Sequence, residues 1–200
     1  MTIKIGILSC IMLLLPYVIA NNAQPTKTRI QSSSNDEQQA LIQYLKKTVA
    51  HSQSFDDQYH AEVWLISQAG KLKRFIKDPQ LRLRLLKNVH QKATAAELNP
   101  DVVLALIEVE SSFRQFALSH VGAQGLMQIM PFWRDAIGRP QDNLMNMETN
   151  LDYGCHILAF YLKKEKGHLA KALARYHGSH PKLYYSEKVL TRWQNQWKTD

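Results

Sequence analysis

The chain is 200 residues long and carries 25 Lys and Arg against 17 Asp and Glu, a formal net charge of +8. That balance suits an acidic polymer as partner, but the basic residues are scattered through the sequence, which argues against nucleic acid. Cys155 is the only cysteine outside the first twenty residues, so no internal disulfide is available there and a core of one domain must hold by packing.

Met1-Thr2-Ile3-Lys4 puts a positive charge ahead of an apolar run from Ile5 to Ala20, the layout of a secretory signal peptide with cleavage after Ala20. The run is shorter than the ~20 residues that span a bilayer and Pro16 interrupts it, so no stable membrane insertion is expected once it is removed. The destination is then the periplasm; an uncleaved anchor facing the same compartment is the alternative. Residues 21–35 are polar and lack apolar periodicity, as in a flexible tether.

Leu41, Tyr44, Leu45 and Thr48 share a three-to-four spacing that predicts a helix near Asp36 to Val49. A second helix is predicted from Asp56 to Ala69 with Gly70 at its end, and a third from Pro79 to Leu98 with Leu81, Leu85, Leu86 and Val89 on one face. Asn99-Pro100 opens a helix that is apolar all round, from Val102 to Val109, and belongs in the middle of the domain. It ends near Ser111 to Phe113. A glycine-bearing loop and a short segment from Gly125 to Met130 follow, and then a loop through Asn143 with at most a turn of helix. Further helices are predicted over about Thr149 to Glu165, Leu169 to Tyr176 and Tyr185 to Trp197. No alternating strand stands out, so the fold class is all-α with at most a minor ribbon. The predicted organisation is one compact unit over 36–200, with flanking helices over 36–98 and a catalytic region over 99–200.

Glu110 is the candidate for chemistry. It lies at the C-terminal end of an otherwise apolar helix, where burial and the negative end of the helix dipole both raise a carboxyl pKa toward the range of a general acid. On position alone, a carboxylate that merely caps or pairs at a surface helix end is the simpler reading. Glu108 lies two residues earlier, about 200° round the helix, so the two cannot form a facing pair and Glu108 is read as a structural partner.

The residues after Glu110 carry more information. Glu110-Ser111-Ser112-Phe113 is followed by Ser119 and by Gly122-Ala123-Gln124-Gly125-Leu126-Met127-Gln128-Ile129-Met130-Pro131. Asn143-Leu144, Asn150-Leu151, Tyr153-Gly154 and Tyr185-x-x-Lys188-Val189-Leu190 come later. This set resembles the soluble lytic transglycosylase (SLT) family of the lysozyme-like superfamily, over about Asn99 to Trp193. The resemblance implies a mainly helical lysozyme-like fold and cleavage of peptidoglycan glycan strands. The bond cut would join N-acetylmuramic acid to N-acetylglucosamine, leaving 1,6-anhydro-muramyl ends with Glu110 as acid and base. It also implies that Ser119, Gln128 and Met130 line the glycan site and that Tyr176 sits beside the catalytic carboxyl. Peptidoglycan, whose stem peptides bear carboxylates, also fits the basic charge. Gly122 and Gly125 suit close backbone approach, Gln128 offers a donor and an acceptor, and Met127 or Met130 an apolar wall.

One departure stands out. The family pattern is Ala-Tyr-Asn-x-Gly, whereas the chain reads Ala174-Arg175-Tyr176-His177-Gly178-Ser179. His177 either supplies the hydrogen bond of the missing amide, or lies close enough to Glu110 or Tyr176 for its protonation to lower the carboxyl pKa and cut activity as pH falls. No cofactor and no metal are expected: the eight histidines make no His-x-x-x-His pair with a nearby Glu, and there is no phosphate loop. Cys155 is read as a buried inert thiol. Of the four tryptophans, Trp133 is the best sugar-stacking candidate and packing is the default for Trp64, Trp193 and Trp197. A two-carboxylate lysozyme-type hydrolase and a catalytically silent wall-binding module are the alternatives. Asp135 and Asp142 are the loop acids that a second carboxylate would draw on.

Overall fold

The computed structural model describes residues 58–199; the expected leader, tether and first helix fall outside them. The described residues form seven α-helices: α1 (Gln58–Leu72), α2 (Pro79–Ala95), α3 (Pro100–Ser111), α4 (Pro131–Ile137), α5 (Met147–Lys164), α6 (Leu169–His177) and α7 (Tyr184–Arg192). A π-helical turn, Trp193–Trp197, extends α7. Among these residues the only β pairing is two isolated bridges, Leu118 with Gln124 and Gln124 with Ile129, which is the minor ribbon at its smallest.

The all-apolar helix is the axis of the domain. Asn99 caps α3 by accepting from the Asp101 amide at 2.8 Å and Pro100 fills the first helical position, where no amide donor is needed. Val102 through Ile107 are then at most 3% exposed, each worth ~1.5–3 kcal/mol for its larger apolar side chains, because α2, α7 and the π turn enclose them. α5 packs across α2 and α6, and α7 packs across α6 and α3.

Buried polar residues fix how these helices meet. Asp101, 3% exposed at the positive start of α3, accepts from Trp64 Nε1 and Gln68 Nε2 of α1 and from the Thr199 amide and hydroxyl. Gln68 Nε2 also donates to the Trp197 carbonyl at 2.8 Å. Both the first described helix and the end of the chain are therefore tied to α3.

Helix ends depart from the sequence expectations by a few residues, for local reasons. α1 runs through Gly70 to Leu72, because Leu72 is completely buried and the carbonyl there receives the Phe75 and Ile76 amides. α2 stops at Ala95 and not Leu98: Glu97 turns left-handed (φ 56°), which brings Leu98 back against the core with its amide on the Ala93 carbonyl. α5 starts two residues early because Asn146 caps it. α6 ends at the left-handed Gly178.

Candidate active site

The end of α3 is bent sharply. Ser112 and Phe113 both take left-handed conformations, with φ of 51° and 62°, at a cost of about 1–3 kcal/mol each for residues that are not glycine. Burial of Phe113 offsets part of this: its ring, 4% exposed, lies 4.9 Å from Phe75 and 5.2 Å from Trp197. The bend carries the chain away immediately after Glu110 and leaves that side chain on the last helical turn, half-buried.

Glu110 and Glu108 diverge as the 200° step requires. Glu108 accepts the Trp197 indole hydrogen at 2.6 Å and meets Arg74 and Arg192 at 3.3 Å. It is a structural partner, as expected, although its arginines are about half exposed and its buried partner is an indole. Glu110 turns the other way and accepts a hydrogen bond on Oε1 from the Tyr185 hydroxyl. Burial drives its pKa from the ordinary 4.5 up to about 7, and the Tyr185 bond opposes part of that rise by favouring the carboxylate.

Asn150, 1% exposed, ties the glycine-bearing loop to the start of α5. Its Nδ2 donates to the Gln124 and Leu144 carbonyls, each at 2.8 Å, and its Oδ1 accepts from the Met127 amide at 2.7 Å. Gly125 (φ 77°) makes this clamp possible, since a Cβ there would lie 2.4 Å from Asn150 Nδ2 and 2.7 Å from the Leu144 carbonyl. Gly154 plays the matching part on α5, where a Cβ would sit 2.3 Å from Met127 Sδ. Met127 is thus completely buried and belongs to the core; of the two methionines considered for an apolar wall, only half-buried Met130 is available.

The other candidate residues are partly committed inside the protein. Gln128 (φ 50°) donates its Nε2 to the Gly125 and Ala117 carbonyls, at 2.8 and 3.3 Å, so what it can present is its carbonyl oxygen and not the donor-acceptor pair expected of it. Ser119 closes the turn at Gly122: its hydroxyl accepts from the Ala123 amide at 2.9 Å. Tyr176 donates to the Met127 carbonyl at 2.7 Å, and burial together with the charge of Glu110 raises its pKa well above 10.0. It lies in the field of the carboxyl, but the direct bond comes from Tyr185. His177 makes no amide-like hydrogen bond: its ring lies flat on Tyr185, centroids 4.0 Å apart and planes 13° from parallel. Glu110, Tyr176, Tyr185 and His177 thus form one cluster, with the Met127–Gln128 backbone beside it.

A family model described as "Transglycosylase SLT domain" matches residues 87–189, more than half of the chain. The chain belongs to that family. It is 27% identical to membrane-bound lytic murein transglycosylase C of Glaesserella parasuis serovar 5 (strain SH0165), over 51% of this chain and 38% of the relative, so it spans about two fifths of that relative's length. Among solved structures it is similar, at 26% identity and a TM-score of 0.42, to an inactive mutant of the lytic transglycosylase Slt from Pseudomonas aeruginosa, over 46% of this chain and 16% of that one.

Within this SLT domain two positions that shape the candidate site were not singled out by the sequence. Asn150 and Tyr185 both stand in motifs visible in the chain, but their spacing says nothing of what they touch. Adjacent Tyr184 and Tyr185 are indistinguishable until α7 is docked; then Tyr184 is half exposed and Tyr185 is 4% exposed. Trp133 is half-buried, 5.0 Å from Phe132, whereas Trp197 is completely buried. Cys155 is buried, as expected, and burial pushes its thiol pKa up to about 12. Among the described residues no group of three or more His, Cys, Asp or Glu could hold a metal ion.

Proposed function

We propose that this SLT domain is a peptidoglycan lytic transglycosylase, cleaving the bond between N-acetylmuramic acid and N-acetylglucosamine with formation of 1,6-anhydro-muramyl ends. The observation that carries the reading is Glu110: a half-buried carboxyl, poised at about 7 and held by one tyrosine hydroxyl, can both give and take a proton near neutrality. The printed name of the murein transglycosylase relative agrees with it.

In the proposed cycle Glu110 gives its proton to the glycosidic oxygen as the bond from muramyl C1 breaks. The resulting carboxylate takes the proton of the C6 hydroxyl as O6 bonds to C1. The ring closes, Glu110 ends protonated, and no water is consumed. A two-carboxylate hydrolysis needs a second acid about 5–9.5 Å away. Of the two loop acids, Asp135 pairs with Arg134, and Asp142 accepts from Tyr153 and pairs with Arg139. The Gln128 carbonyl oxygen, the Ser119 hydroxyl and the Met130 side chain are the proposed sugar contacts, with Tyr176 and His177 on the carboxyl side.

The proposed setting is the periplasm, reached through the signal at residues 1–20. No helix among the described residues is long and apolar enough to cross a membrane. Digestion of purified sacculi followed by mass analysis of the muropeptides tests the reaction. Anhydro products, one water lighter than reducing ends, are expected; reducing ends as the main product would replace this reading by a lysozyme-type hydrolase.

A further inference from the structure

The imidazole of His177 covers the ring of the tyrosine that holds Glu110. Tyr185 is 4% exposed and donates to Glu110 Oε1, and the 4.0 Å, near-parallel contact with His177 closes one face of its ring. His177 itself is the last residue of α6, exposed, and meets the neighbouring Tyr184 edge-on at 6.0 Å and 86°. An aromatic ring in this place restricts the tilt of the Tyr185 ring, and the tilt decides whether its hydroxyl points at the carboxylate. An asparagine, which the family pattern has at this position, offers no second ring.

We propose that His177 is a positioning residue: its ring braces the ring of Tyr185 so that the tyrosine hydroxyl stays on Glu110. Its relevance to catalysis rests on the reading of Glu110 as the acid; the brace itself does not.

The charged and titratable groups facing the imidazole are Lys188, Tyr184 and Tyr185 of α7, with Glu110 of α3 beyond Tyr185. Burial and then Lys188 hold His177 below its ordinary 6.5, while Glu110 titrates at about 7. The sequence leaves open whether His177 stands in for the amide or approaches Glu110 or Tyr176; its ring lies on Tyr185, whose hydroxyl is on Glu110.

Loss of the brace loosens the Tyr185 hydroxyl, the one interaction that favours the Glu110 carboxylate, so the carboxyl pKa should rise. The test is the titration of Glu110 in the full chain, followed by the carbon-13 shift of its labelled carboxyl. Tyr185→Phe removes the bond entirely and sets the largest rise. His177→Ala is expected to give a rise of roughly half a pH unit or more, a several-fold change in ionisation, no larger than that of Tyr185→Phe. His177→Phe keeps a ring and cannot titrate, and is expected to leave Glu110 at its wild-type value. In the Tyr185→Phe background His177→Ala should add nothing.

A wild-type titration for His177→Ala, no shift for Tyr185→Phe, or an undiminished His177→Ala shift in the Tyr185→Phe background would each overturn the brace. Retained turnover in Glu110→Gln would instead overturn the catalytic reading and leave these shifts as they are.

Discussion

A carboxyl that is hard to ionise in the folded protein must weaken the fold as pH rises, and Glu110→Gln isolates that effect. Below pH 4.5 the group is protonated whether the chain is folded or not. Between 4.5 and about 7 the unfolded chain loses the proton while the folded one keeps it, so stability falls as pH rises. At about 1.4 kcal/mol per pH unit the loss reaches about 3 kcal/mol and stops once pH passes the folded value. Gln keeps the acceptor oxygen for Tyr185 and has no charge to develop, so the variant escapes the loss. Urea unfolding of both proteins at about pH 4, 5.5, 7 and 8 should give nearly equal stabilities at the lowest pH and a variant about 3 kcal/mol more stable at the highest. Other titrating groups cancel in the difference. A difference that does not change with pH would mean that Glu110 titrates normally, and the basis for its acid role would go with it. The same variant should lose at least ~100-fold in turnover on sacculi, the usual cost of losing general acid-base help.

Glu108→Gln should leave turnover within a few-fold while lowering stability by about 1–3 kcal/mol, through its charged bonds to Arg74, Arg192 and Trp197; activity and urea unfolding on one preparation check both halves. Asn150→Ala strands the Met127 amide and the Gln124 and Leu144 carbonyls, so about 3–6 kcal/mol of stability should go, with most activity following; a loss below about 1 kcal/mol would show that the loop holds itself. Cys155, with its thiol at about 12, should resist alkylation at about pH 8 in the native protein and react once the chain is unfolded in urea; this is read by mass spectrometry after timed quenching.

The course of the helices was legible from periodicity and punctuation. The all-round apolar run from Val102 to Ile107 could go only to the centre, and Asn99-Pro100 and Asp78-Pro79 mark helix starts by chemistry that acts within four residues. The divergence of Glu108 and Glu110 followed from helical geometry alone, and the resemblance to the SLT family was carried by the motif residues themselves, Glu110 to Phe113 and Gly122 to Pro131. All of these are local properties, set by neighbours along the chain.

What the sequence could not decide was which distant groups meet. Tyr185 is 75 residues from Glu110 and Asn150 is 23 from Met127; the first contact exists because α7 packs on α3, and the second because Asn150 at the start of α5 bonds the loop at Gln124 and Met127. Hence Met127 proved to be core, Gln128 spent its donor inside the loop, and His177 stacked on Tyr185, a partner that neither sequence reading of it names. The pKa of Glu110 belongs to the same class. Its direction was readable from an apolar helix end, but its value near 7 balances burial by packed helices against one long-range hydroxyl, and only the tertiary fold supplies both.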